Sequence, residues 1–122
     1  EEALTIDKIH KVPGCSDTFF GIINIRRNVQ SVLNLNKLIN LPNSKKTEHT
    51  RIIIANNSNR STGILVDKLL DIEDITDSSI TDALPTIDKD IEKIAAGQFN
   101  YHDEIVTIID IEKLFDKLET IT

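Results

Sequence analysis

Residues 21–39, GIINIRRNVQSVLNLNKLI, are matched without a gap by residues 97–115, GQFNYHDEIVTIIDIEKLF, at a constant offset of 76. Four positions are identical: Gly21/Gly97, Asn24/Asn100, Lys37/Lys113 and Leu38/Leu114. From Val29 onward the apolar positions also agree, pairing Val29 with Ile105, Val32 with Ile108, Leu33 with Ile109, Leu35 with Ile111 and Ile39 with Phe115. Two copies are too few for a solenoid, which needs at least about three repeats to bury a continuous core. The pattern predicts two related subdomains packed around a pseudo-two-fold axis. A shorter match of Ile6–Ile9 to Val66–Leu69, at an offset of 60, follows in the same order. It places the extra residues of the second half in the acidic region around Pro85.

Each half reads as strand, turn, strand and short capped helix. Gly21–Ile25 and Val29–Leu35 flank a turn at Arg26-Arg27-Asn28, and Ala96–Asn100 and Glu104–Asp110 flank Tyr101-His102-Asp103. Arg51–Ala55 and Ser61–Leu70 form a further β-branched pair about Asn56–Asn59, and Asn tolerates the backbone conformations of tight turns. Helical spacing is confined to Leu35, Leu38 and Ile39 and to Ile111, Leu114, Phe115 and Leu118. Asn34 and Asp110 stand as N-caps at matching positions, and Pro42 closes the first helix. Asp71–Asp90 reads as a surface connection. The expected class is all-β with short helices, of the sandwich or barrel kind.

A chain of 122 residues can bury a core without disulfides, and Cys15, the single cysteine, has no partner. Such usage suits a reducing compartment and an unreactive, packed thiol. A net charge of −6 speaks against a nucleic-acid partner, because the basic pairs Arg26-Arg27 and Lys45-Lys46 are too small a phosphate footprint. No apolar run reaches the roughly 20 residues that cross a bilayer, and no signal peptide opens the chain. With no Met and a start at EEALTI, the sequence reads as a domain trimmed from a longer product.

Catalytic chemistry finds little support. His10, His49 and His102 lack metal-ligand spacing, the four glycines are scattered, and the acidic run Asp71, Glu73, Asp74, Asp77 lacks the order of a calcium loop. No metal or cofactor is expected. A hydrolase reading would have to use His102 with nearby carboxylates. Binding is the stronger signal: Phe19-Phe20, Ile9, Val12 and Ile25 supply apolar surface near Arg26, whose guanidinium suits a forked contact with a carboxylate or carbonyl. A Phe pair ahead of a strand is also a usual core element.

The segments Gly21–Arg26 (GIINIR), Ser31–Leu35 (SVLNL), Gly63–Asp67 (GILVD), Ile105–Ile111 (IVTIIDI) and Glu112–Leu114 (EKL), taken in order, resemble the CheW-like chemotaxis coupling domain across nearly the whole chain. The resemblance implies a single domain spanning residues 1–122, made of two intertwined, SH3-like, five-stranded β-barrel subdomains. It also implies a non-catalytic cytoplasmic adaptor. Such an adaptor binds the cytoplasmic tip of methyl-accepting chemoreceptors and the regulatory domain of the histidine kinase CheA in membrane-associated arrays. By that resemblance Arg26, Gly21, Ile9, Val12 and Lys11 belong to the receptor site, and Ile80 and Leu84 to the kinase contact. A CheW-like domain cut from a CheA kinase or from a CheW-receiver fusion is the alternative.

Three positions depart from the family pattern. Arg27 stands where Gly usually follows the motif Arg, so the positive φ of the turn is expected at Asn28. Lys11 stands where an acidic residue is common. The strand usually found upstream is missing, which would leave an edge of the first barrel open to pairing with another chain.

Overall fold

The computed structural model describes residues 3–4, 9–14, 16–25, 27–82 and 88–121, which fall into two compact units, Glu1–Leu70 and Asp71–Thr122. The chain is mostly β with short helices. In the first unit, β1 (Ala3–Leu4), β2 (Phe19–Ile25), β3 (Asn28–Leu33), β4 (Arg51–Asn56) and β5 (Ser61–Val66) form a five-stranded sheet in the order β1-β4-β5-β3-β2. All pairings are antiparallel except β3 with β5. The helix α1 (Leu35–Leu38) and β4 lie in the crossover that a parallel pair requires.

Alternation along β2 turns Gly21 and Ile23 inward and leaves Asn24 exposed. Ile23 joins Val32, Ile52 and Ile54 in the core, with Ile9, Phe20, Ile25 and Leu65 packed against it. The Asn57 carboxamide oxygen accepts from the backbone N–H groups of Asn59 and Arg60 at 2.9 and 2.7 Å, which fixes the expected polar turn between β4 and β5. Strand β5 stops at Val66 rather than running to Leu70, and Leu69 and Leu70 are exposed.

The edge expected to stand open is met in part. Ala3 and Leu4 pair with Ile53 and Ile52, and His10 exchanges two backbone hydrogen bonds of 2.8 Å with Ile22. His10 thus bridges β2, the strand at the end of the sheet opposite β1.

The second unit repeats these devices. Strands β6 (Ala95–Tyr101) and β7 (Glu104–Ile109) pair antiparallel, with a bulge between Ala95 and Gly97 that matches the one between Phe19 and Gly21. Thr81 bridges Gln98 as His10 bridges Ile22. The offset at the bridge is 71, between the 60 and 76 of the two sequence matches, so extra residues lie on both sides of Thr81. The N–H of Asn34 donates to the Thr18 carbonyl at 2.6 Å, and that of Asp110 donates to the Ile94 carbonyl at 2.8 Å. These contacts extend the repeat back to residues 18 and 94.

Both expected N-caps are present. The Asn34 oxygen accepts from the Lys37 N–H at 3.3 Å, and Asp110 Oδ1 accepts from Glu112 and Lys113 at 2.9 and 3.2 Å. Helix α1 is ended by Asn40 at φ 62°, with Leu41 N–H donating to the Asn36 carbonyl at 2.7 Å. Pro42 follows that cap rather than making it. A four-residue helix α2 (Lys89–Glu92), capped by Asp88, begins at the end of the expected connection. Helix α3 (Ile111–Ile121) buries Leu114, Phe115 and Leu118.

The first hairpin corrects one expectation. Ile25 pairs with Asn28, which places Asn28 in the strand, and Arg27 takes the positive φ, 71°. A non-glycine residue there costs roughly 1–2 kcal/mol. The second turn is the two-residue pair His102 and Asp103, at φ 47° and 65°, as the twist of a tight hairpin demands.

Candidate functional site

Gly21 positions the receptor-site candidates. A Cβ at this residue would collide with the His10 carbonyl oxygen, so only glycine lets residues 9–12 lie against β2. The segment then divides its side chains. Ile9 packs against the core, while Lys11 and Val12 stay exposed.

Lys11 and Val12 form one wall of a cleft of about 350 Å³, together with Phe19, Phe20, Asn34 and Lys37. The Phe pair serves two ends, since Phe20 also packs against the core. The Asn34 amide donates to the Asn43 side-chain oxygen at 3.1 Å, which stiffens the cleft where α1 begins. The arrangement suits an apolar side chain with a carboxylate close by. Arg26 and Leu84, and with them Cys15, lie outside the described residues.

Ile80 is half-buried, and its Cγ2 lies 2.8 Å from where a Cβ on Gly97 would stand. It therefore precedes the Thr81 bridge as Ile9 precedes the His10 bridge. His102 is exposed, and its ring packs edge-on to Tyr101 with centroids 4.2 Å apart. The Tyr101 hydroxyl donates to Glu73 Oε1 at 3.2 Å. Desolvation, that hydrogen bond and the charges of Glu73 and Asp71 hold the phenol above its ordinary range. Among the described residues no group of three His, Cys, Asp or Glu side chains could hold a metal ion. No described helix is long and apolar enough to cross a membrane.

Sequence reasoning did not find the cleft residues Asn34 and Lys37. The signal was present, because Lys37 and Lys113 are identical in the repeat. Its meaning shows only in the second copy, where Lys113 Nζ donates to the Ala95 carbonyl at the bulge, 3.0 Å away.

The family described as "CheW-like domain" matches residues 1–119. The chain is 32% identical over 107 residues to the chemotaxis protein CheW of Bacillus subtilis, covering 88% of this chain and 69% of that protein. It is 31% identical over 100 residues to the chemotaxis protein CheA of Borreliella burgdorferi, covering 82% of this chain and 11% of that protein. The crystal structure of the scaffolding protein TtCheW from Thermoanaerobacter tengcongensis superposes with a TM-score of 0.81 at 27% identity, over 88% of this chain and 70% of that one.

Proposed function

Since the chain belongs to the CheW-like domain family, we propose that it is a non-catalytic chemotaxis adaptor coupling methyl-accepting chemoreceptors to the histidine kinase CheA. The observation that carries this reading is the match to a CheW protein over 88% of the chain, with the fold of a scaffolding protein. The two units are taken as the intertwined halves of one domain, working in the cytoplasm beneath the receptor array.

The receptor contact is assigned to Gly21, Lys11 and Val12, together with the motif arginine Arg26, with Ile9 packed beneath Lys11 and Val12. An apolar stripe on a helical receptor tip can fill the cleft beside Phe19 while Arg26 fixes its register through a charge-assisted bond. Lys11, in place of the family's common acid, directs this face toward a carboxylate on the receptor. The kinase contact is assigned to the connection around Ile80 and Leu84.

Titration of the domain with a receptor-tip fragment tests the assignment. Arg26→Ala is expected to weaken binding by about 1–3 kcal/mol if its bond is desolvated. Equal binding by wild type and variant removes Arg26 from the site.

The 31% identity to a CheA protein favours a second reading, in which the same domain is the regulatory end of a larger kinase. Flanking sequence decides between the two. An ATP-binding kinase domain upstream, or a receiver domain downstream, would replace the stand-alone reading.

A further inference from the structure

Residues 71–122 hold fourteen Asp and Glu against four basic residues, Lys89, Lys93, Lys113 and Lys117, giving −10. All four lysines belong to the two helices of this unit: Lys89 opens α2, Lys93 is its C-cap, and Lys113 and Lys117 lie on α3. Three of them, Lys93, Lys113 and Lys117, line one cleft of about 640 Å³ with Asp116 and Thr120. The residues from α3 follow the i, i+3, i+4, i+7 spacing of a single helix face, beside the face that buries Leu114, Phe115 and Leu118.

Two lysines one turn apart on a helix repel each other. Here both are held in place. Lys117 Nζ lies 3.5 Å from Asp90 Oδ1 on α2, with its side chain 15% exposed, and Lys113 Nζ donates to the Ala95 carbonyl at 3.0 Å. These contacts draw both ammonium groups toward the link from α2 to β6, where Lys93 stands. An ammonium has three donors, and each contact takes one, so Lys113 and Lys117 keep donors for a ligand. Much of the rotamer freedom that binding would remove is already lost, and the lysine stems supply apolar walls beneath a charged rim.

Charge and size decide what fits. A nucleic acid, an acidic protein or an anionic membrane spreads charge over far more than the cleft and meets the −10 of the whole unit. A small anion inside the cleft sits within roughly 8 Å, one Debye length, of the lysines, while distant carboxylates are screened. The lining holds no aromatic ring, so a nucleobase finds nothing to stack on. Asp116 offsets one of the three lysine charges, which favours an anion of more than one charge.

We propose that this cleft binds a small multivalent phosphate oxyanion, such as pyrophosphate or the phosphorylated end of a small molecule, with Lys93, Lys113 and Lys117 donating to its oxygens. Phosphate suits the site better than carboxylate, because each group brings about two charges and more acceptor oxygens. The bound anion joins α3 to the end of α2 and stabilises the second unit. The site is separate from the receptor and kinase contacts.

Titration of the whole chain with sodium pyrophosphate at constant ionic strength, followed by amide NMR shifts, tests the proposal. Saturable shifts are expected at Lys93, Lys113 and Lys117, with citrate binding more weakly. Lys93→Gln should weaken pyrophosphate binding at least about tenfold. Lys89→Gln, outside the cleft, should leave it within about twofold, and Asp116→Asn should strengthen it. Circular dichroism confirms that the variants are folded. Saturation with pyrophosphate should also raise the hydrogen-exchange protection of the β6 and β7 amides. Shifts that are absent or unsaturated at about 10 mM pyrophosphate overturn the proposal. So do equal losses in Lys93→Gln and Lys89→Gln, citrate binding as tightly as pyrophosphate, and capture by vesicles of equal parts phosphatidylcholine and phosphatidylserine without a response to pyrophosphate.

Discussion

Gly21→Val is expected to lower the unfolding free energy by about 3–5 kcal/mol, read from urea melts. At φ 149° the new Cβ would strike the His10 carbonyl oxygen, with His10 C at 2.8 Å and Lys11 Cα at 3.1 Å. Every one of these atoms is backbone, so no side-chain rotation relieves the clash. The two His10–Ile22 hydrogen bonds must then lengthen or break, at roughly 1 kcal/mol each, and backbone strain adds about 1–3 kcal/mol. Function should suffer as well, because displacing residues 9–12 carries Lys11 and Val12 away from the cleft. An unchanged urea midpoint would show that the two segments do not approach this closely. At Gly97, the same place in the second copy, an added Cβ would stand 2.7 Å from the Thr81 carbonyl oxygen.

Leu114→Ala should cost a similar amount, about 2–5 kcal/mol, through the cavity it leaves. Leu114 is fully buried beside Phe115 and Leu118 in α3, and Ile94 and Ala95 are buried in the same unit. The second unit depends on this helix more than the first depends on α1. Its sheet among the described residues is the two-stranded β6–β7 pair, and a lone hairpin is marginal in water. Hydrogen exchange should therefore show the β6 and β7 amides losing protection in Leu114→Ala while those of β4 and β5 retain theirs. Uniform loss across both units would mean that they unfold as one.

Much of this fold was legible in the residues. The offset of 76 pointed to paired hairpins, and Asn34 and Asp110 pointed to the caps, because these features rest on local rules of spacing and hydrogen bonding. Features set by register were not legible. Asn28 is the better left-handed residue by type, yet its pairing with Ile25 puts it in the strand and leaves the positive φ to Arg27. The match of Val29 with Ile105 marked both as apolar but could not say which face each occupies. Helix α2 is too short for any periodicity to reveal. For the site, the cleft unites Lys11 and Val12 with Phe19 and Lys37, contacts that depend on how the bulge at Gly21 turns the strand.

The proposed function requires one molecule to bridge a receptor and a kinase. Its most direct test is sedimentation of the domain with a receptor-tip fragment and a CheA regulatory domain, separately and together. A binary complex is expected with each partner, and a single faster species containing all three. Failure to bind either partner, or displacement of one by the other, would contradict it.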